Sequence, residues 1–202
     1  MTFQEILDET RVYLDDDSSA RFSDEELKAY INISYETYYS DLIERSYRRI
    51  LKTSELVFTD GVAAIPSDFY LANMLYNVEG SERYPITFYI NHTGIEGQNA
   101  GKSYYTFEGE YFRLNNIKDG TYLLSYYPFF TPLSLDGDEP ASSFLQPWHK
   151  LLAINAAIIG KAGREEDNVT GLEKIRAKIE HPYINYWARM SKGRTNVQPF
   201  YI

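Results

Sequence analysis

The sequence predicts an α+β fold: terminal helix pairs forming a helical bundle, an antiparallel β unit inserted between them, and an extended C-terminal tail. Three observations predict it. Apolar residues recur at helical spacing up to about Leu51 and again from Trp148 to about residue 190. After Lys52 the pattern turns to short β-rich runs broken by Asp-Gly and Gly-Ser pairs, which mark hairpins. From Leu151 to Ile159 every residue except Asn155 is apolar, so a helix there is greasy around nearly its whole circumference and is buried. The expected organisation is 1–53 as N-terminal helices, 54–133 as the β insert, 134–190 as C-terminal helices and 191–202 as a docking tail.

Taken in order, Phe3, Ile6, Leu7 and Leu14 share one helical face behind Thr2 as a cap, and Asp15–Ser19 is a polar break. Ser23 with Glu26 forms a capping box, and Phe22 with Leu27 a hydrophobic staple. The helix they start is expected to run to about Leu51, roughly 40 Å at 1.5 Å per residue. Its first turn is acidic, and Arg45, Arg48, Arg49 and Lys52 close it, as the helix dipole favours. Glu55–Thr59 and Val62–Ile65 flank Asp60-Gly61, a type I′ hairpin signal. Ile65-Pro-Ser-Asp-Phe69 turns the chain out of that hairpin. A strand ending near Glu79 then turns at Gly80-Ser81 into Arg83–Ile86, and 88–100 reads as a loop. Tyr104–Glu108 and Tyr111–Leu114 form a second hairpin, and Asp119-Gly120 leads into the strand Thr121–Tyr127. Trp148–Ala162 is the central helix, thin at Ala153, Ala156, Ala157 and Gly160, with Pro147 as its first residue and Gly163 as its stop. Residues 169–190 return to helical spacing through Leu172, Ile175, Ile179 and Trp187, and Pro182 is expected to kink or break that helix near His181.

Composition narrows the function. The chain has 202 residues, a length that suits one large domain or two small ones with a substantial core. The net charge of −9 argues against affinity built on phosphate neutralisation or on docking to anionic membrane. Cysteine is absent, which removes disulfides, thiolate zinc sites and thiol nucleophiles together. The opening Met and the lack of a basic or apolar leader lead us to expect a complete chain made in the cytoplasm without a signal peptide. The nineteen tyrosines exceed ordinary usage and point to aromatic cores and protein contact surfaces.

Two segments imitate ligand sites. Gly97–Ser103 resembles a phosphate loop one residue short, with Glu96 where the motif needs glycine and a strand where it needs a helix, so a solvated loop is expected. Asp15, Asp17, Ser19, Ser23 and Glu26 have calcium-loop spacing, but Ala20 takes the glycine position and the capping box already accounts for Ser23 and Glu26. His92, His149 and His181 lie in different elements without ligand spacing, and no nucleophile elbow or carboxylate pair stands out. No enzyme activity, cofactor or metal is expected.

Three stretches, in this order along the chain, carry a family resemblance: Phe22-Ser-Asp-Glu-Glu-Leu-Lys-Ala-Tyr-Ile-Asn32, Ile65-Pro-Ser-Asp-Phe69, and Gly120–Tyr127 through Pro132-Leu133-Ser134 into Trp148–Ala162. Together they resemble the head-to-tail adaptor (connector, or tail-tubular) proteins of short-tailed bacteriophages. The tyrosine load and the glycine-rich 94–101 loop depart from that pattern. The resemblance implies a structural virion protein at the head–tail junction, made in the host cytoplasm. It implies a homo-oligomeric ring, commonly of twelve copies, bound beneath the portal protein and contacting the next tail component (nozzle or tail-tube protein). DNA would pass through the lumen without specific binding, and no membrane is involved. A glycan- or receptor-binding virion module is the alternative, and a calcium-binding structural protein a further one. The tail supplies the expected docking residues: Arg189, Lys192 and Arg194, then Pro199, Phe200, Tyr201 and Ile202. It has no amphipathic period and ends in large apolar groups, which suits a segment that orders on a partner, by resemblance the portal or the adjacent subunit.

Overall fold

In a computed structural model, the structure describes residues 1–16, 21–79, 81–88, 103–140, 148–164 and 169–191, without the side chains of 189–191. The chain divides into two compact units, one built from residues 1–49 with the described residues from Phe130 onward, the other from Ile50–Phe129.

The first unit is helical. Its elements are α1 (Phe3–Leu14), α2 (Asp24–Glu44), α3 (His149–Gly163) and α4 (Thr170–Ser191). Both N-terminal helices begin in capping boxes: Thr2 accepts from the Glu5 backbone and Ser23 from that of Glu26, while each glutamate side chain returns to the cap N–H. Helix α3 touches α1, α2 and α4, and Leu151–Ile154, Ala156, Ala157 and Gly160 are all buried. The all-round apolar pattern therefore reports a helix covered by three others.

Four details differ from the sequence expectation. Helix α2 stops at Glu44, not near Leu51. Ser46 takes a left-handed conformation (φ 55°), its N–H donates to the Ile43 carbonyl at 2.8 Å, and that of Tyr47 donates to Leu42 at 2.9 Å. This is a Schellman closure with serine in the place usually held by glycine, so composition gave no stop signal. The helix is thus 21 residues long, and Arg48 and Arg49 fall in a separate 3₁₀ turn, Arg48–Ile50, rather than in its last turn. Helix α4 continues through Pro182. The carbonyl that Pro182 leaves unbonded belongs to Lys178, and both residues are exposed, so water can take the missing N–H's place. Meanwhile Tyr183 and Trp187 hold the following turn in the core. Finally, α3 starts at His149 and includes Gly163, while Pro147 lies outside the described residues.

The second unit is a seven-stranded sheet: β1 (Lys52–Phe58), β2 (Val62–Ala64), β3 (Phe69–Glu79), β4 (Glu82–Phe88), β5 (Tyr104–Glu108), β6 (Tyr111–Asn115) and β7 (Gly120–Pro128), in the spatial order β1-β7-β3-β4-β5-β6-β2. All pairs are antiparallel except β4 with β5, which meet only at Thr87–Tyr104 and Phe88–Tyr105. The β3–β4 and β5–β6 hairpins follow the sequence reading.

The first hairpin does not. Asp60 and Gly61 both have positive φ (52° and 75°), as a type I′ turn needs, but the turn closes a single bridge, Thr59 to Val62. Strand β1 then leaves to pair with β7 and β2 with β6. The turn therefore joins the two edge strands and brings the sheet near closure. Asp119 secures it, its carboxylate accepting the Asp60 and Gly61 N–H groups, each at 2.7 Å. Inside, Phe69 packs against Phe107, Phe112 and Tyr126, beside Leu75, Leu124 and Ile86. Tyr104, Tyr105, Tyr122, Tyr126 and Tyr127 are buried, so much of the tyrosine excess of this unit serves its core.

Candidate functional site

The acidic corner between α1 and α2 folds around Asp16, a residue outside the calcium-loop pattern. Asp15 ends α1 in a left-handed turn, and the Asp16 N–H returns to the Arg11 carbonyl at 3.1 Å. That reverses the chain and buries the Asp16 carboxylate. The carboxylate accepts from the Arg11 guanidinium and from the backbone N–H groups of Arg21 and Phe22, each at 3.1 Å. Arg11 also donates to the Phe22 carbonyl at 3.3 Å and to Asp24. Ser23 and Glu26 are engaged with each other, and Glu26 also meets Arg164. Its carboxyl is held below the usual range, first by the Ser23 N–H. Asp17 and Ser19 lie outside the described residues. Among the described residues no group of His, Cys, Asp and Glu is placed to hold a metal ion.

The three signature stretches do structural work. Asn32, at the end of the first, donates to the Leu133 carbonyl at 3.0 Å and accepts from the Leu133 N–H at 2.8 Å. The same strap carries Asp136 and Asp138, whose carbonyls accept the Gln4 and Phe3 N–H groups at 3.1 and 2.7 Å, satisfying the open first turn of α1. The Asp136 side chain pairs with Lys28 at 2.7 Å, and Asp138 accepts the Ser134 and Leu135 N–H groups. In the second stretch, the Phe69 N–H turns back to the Pro66 carbonyl. Asp68 accepts from Lys52 at 2.6 Å and from the Tyr126 hydroxyl at 2.7 Å, tying the start of β1 to β7. These contacts, Lys52 foremost, hold its carboxyl below the usual range. In the third, Gly160 lets Phe22 approach: a methyl on Gly160 would stand 3.2 Å from the ring. Arg164 covers the same ring at 4.1 Å.

The other candidates are dispersed. His149 is buried at the start of α3, and exposed His181 contacts Asn185 on α4. His92 and residues 97–102 lie outside the described residues. Ser103 donates to the Asn116 carbonyl and Tyr104 opens β5, the strand expected after that loop. The side chain of Arg189, and Lys192, Arg194 and Pro199–Ile202, are likewise outside the described residues.

Sequence reasoning missed Arg11, Asp16 and Asp41. Asp41 accepts from Tyr183 at 2.8 Å and pairs with Arg45, linking α2 to α4. Asp16 carries a signal, an acid at a helix end with an arginine five residues back, but it sits inside a polar run that reads as a solvated break.

No helix among the described residues is long and apolar enough to cross a membrane. No curated protein matches the chain. A family model described as SU10 adaptor protein matches residues 1–177 and so takes in all three signature stretches and the whole β unit. The chain therefore belongs to the SU10 adaptor protein family, a phage head-to-tail adaptor family.

Proposed function

We propose that the protein forms a ring at the head–tail junction, commonly of twelve copies in such adaptors, which seats beneath the portal, receives the next tail component and lines the channel through which DNA leaves. The observation that carries this reading is the family match over residues 1–177. Two further features support it. The net charge of −9 suits a lumen along which a polyanion slides without sticking. Asn32, Asp68 and Gly160 are each spent on holding the fold, as expected of a structural part. The role is non-enzymatic.

We assign docking to residues 191–202, which follow the matched stretch and end in Phe200-Tyr201-Ile202. Arg189, Lys192 and Arg194 give the arm a basic start, against nine acids and two bases in residues 1–26. The test is to mix the purified chain with its portal and weigh the complex, with and without residues 191–202. Ring assembly on the portal by the full chain, lost on truncation at an unchanged melting temperature, is the expected result. A truncated chain that binds portal with full affinity would move the docking surface elsewhere, and one that unfolds would place the tail in the core.

A further inference from the structure

The outward faces of α2 and α4 carry opposite charges left over after their own ion pairs are made. Those pairs use Asp24, Glu26, Lys28 and Asp41 on α2, the last with Arg45 just past its end, and Arg176 with Glu180 on α4. On α2, Glu36 stands exposed and outside every such pair among the described residues, beside Ile33, which is 49% exposed in the middle of the helix. Ala29 and Ser40 continue that stripe, so the face is low and admits a close neighbour. On α4, Lys174 and Lys178 stand exposed and equally unpaired beside Ile175, at 40% exposure. Among the described residues Glu173 is the one exposed acid of α4, set off from the stripe.

The spacing matches. Ile33 and Glu36 lie three residues apart on α2, and Ile175 and Lys178 lie three apart on α4, so each pair shares one side of its helix. The two surfaces repeat one pattern, an isoleucine followed by a charge, with the sign inverted. Both stand exposed on the same chain, so neither satisfies the other there.

We propose that α4 of one copy packs across α2 of the next, with Ile175 against Ile33 and Lys178 against Glu36. Lys174, one turn before Lys178, adds a second positive charge beside it. The interface joins two different surfaces of identical chains, so it is heterologous and propagates around a ring. It rests on the ring reading above and names the subunit contact within it.

The test uses charge reversal in the full chain, with mass measured alone and on the portal. Glu36→Lys alone and Lys178→Glu alone should each lose the assembled species under conditions where the unaltered chain assembles. The double variant should recover it. An equimolar mixture of the two single variants should also recover it, because every interface in an alternating ring then joins opposite charges. Raising salt should weaken assembly of the unaltered chain. If a reversal lowers the melting temperature, Glu36→Gln and Lys178→Gln replace it and should raise the concentration at which half the chain is assembled. Single variants that assemble as well as the unaltered chain, or a mixture that fails to recover, overturn the interface. If the unaltered chain forms no ring alone or on its portal, the ring reading fails and the interface falls with it.

Discussion

Asn32 and Leu133, more than a hundred residues apart, are joined by a reciprocal pair of hydrogen bonds in which an asparagine side chain stands in for a strand partner. The contact holds the 132–138 strap on α2, and the strap in turn closes the first turn of α1 through the Asp136 and Asp138 carbonyls. One side chain thus fixes a segment that completes another helix.

Replacing Asn32 with Ala removes both bonds and leaves the Leu133 N–H and carbonyl to find water. The expected cost is about 2 kcal/mol, read as a lower urea midpoint with an unchanged slope. Asn32→Asp keeps the acceptor and loses the donor, so it should fall between the two. An Asn32→Ala variant as stable as the unaltered chain would show that water replaces the side chain freely.

The elements the sequence disclosed are those written in local chemistry. Ser23 with Glu26, and Thr2 as a cap, announce helix starts because a cap is a contact between residues three apart. Asp60-Gly61 announces a type I′ turn for the same reason. What stayed hidden was long-range or unusual. Nothing near β1 says that it pairs with β7 rather than with β2. Ser46 ends α2 in a conformation normally signalled by glycine. Asn32 and Asp68 stood inside recognised stretches, yet their partners Leu133 and Tyr126 lie far along the chain, so motif and role became connected only in three dimensions.

Asp16 should be costly to alter. Its side chain is 1% exposed and that of Arg11 9%, so removing the carboxylate leaves the buried guanidinium to be balanced by the more exposed Asp24. Asp16→Ala should cost about 3–5 kcal/mol, the usual range for a broken buried pair, and also frees the N–H groups of Arg21 and Phe22. A melt of Asp16→Ala beside Asp16→Asn checks this, and Asn, which still accepts one bond, should recover part of the loss.

Ser23 is spent as a helix cap. Ser23→Ala should cost about 1 kcal/mol, and by the same amount in calcium and in chelator. A melting temperature of the unaltered chain that climbs with millimolar calcium would return the Asp15–Glu26 corner to a ligand site.

The Asp68 contacts give the β unit a pH dependence at both ends. The Asp68 carboxyl is depressed in the folded state, so its contribution is present above the ordinary carboxylate value of about 4 and is lost as pH falls through the folded one. The site is 39% exposed on the Asp68 side, and solvent screening limits the contribution to about 1 kcal/mol or less. Asp68→Asn should therefore be slightly less stable at neutral pH, and the gap should close below pH about 4. Tyr126 is pushed up to about 12 by burial, then by its bond to Asp68. Its neutral form is the folded one, so its contribution holds below pH about 10 and fades as pH rises toward the folded value. Tyr126→Phe should lose that alkaline decline, and urea midpoints across the pH range would show it.

Gly160 tests how tightly the central helix is enclosed. Alanine in its place gains about 1 kcal/mol of helix propensity, but its methyl would lie 3.2 Å from the Phe22 ring and 3.5 Å from that of Tyr30. Phe22 has little room to yield. It is buried, Arg164 lies over its face, and the Ser23 capping box fixes the backbone beside it. Gly160→Ala should thus come out near neutral, propensity against crowding. Gly160→Leu adds three further carbons at the same point with no compensating gain and should lose about 1–3 kcal/mol, the usual range for overpacking. The distinguishing measurement is Phe22→Ala combined with Gly160→Leu. If the close approach to Phe22 is what forbids a side chain at Gly160, leucine should cost much less in the Phe22→Ala background than in the unaltered chain, so the double variant loses less than the sum of the two single losses. Equal costs in both backgrounds would mean that another neighbour sets the limit.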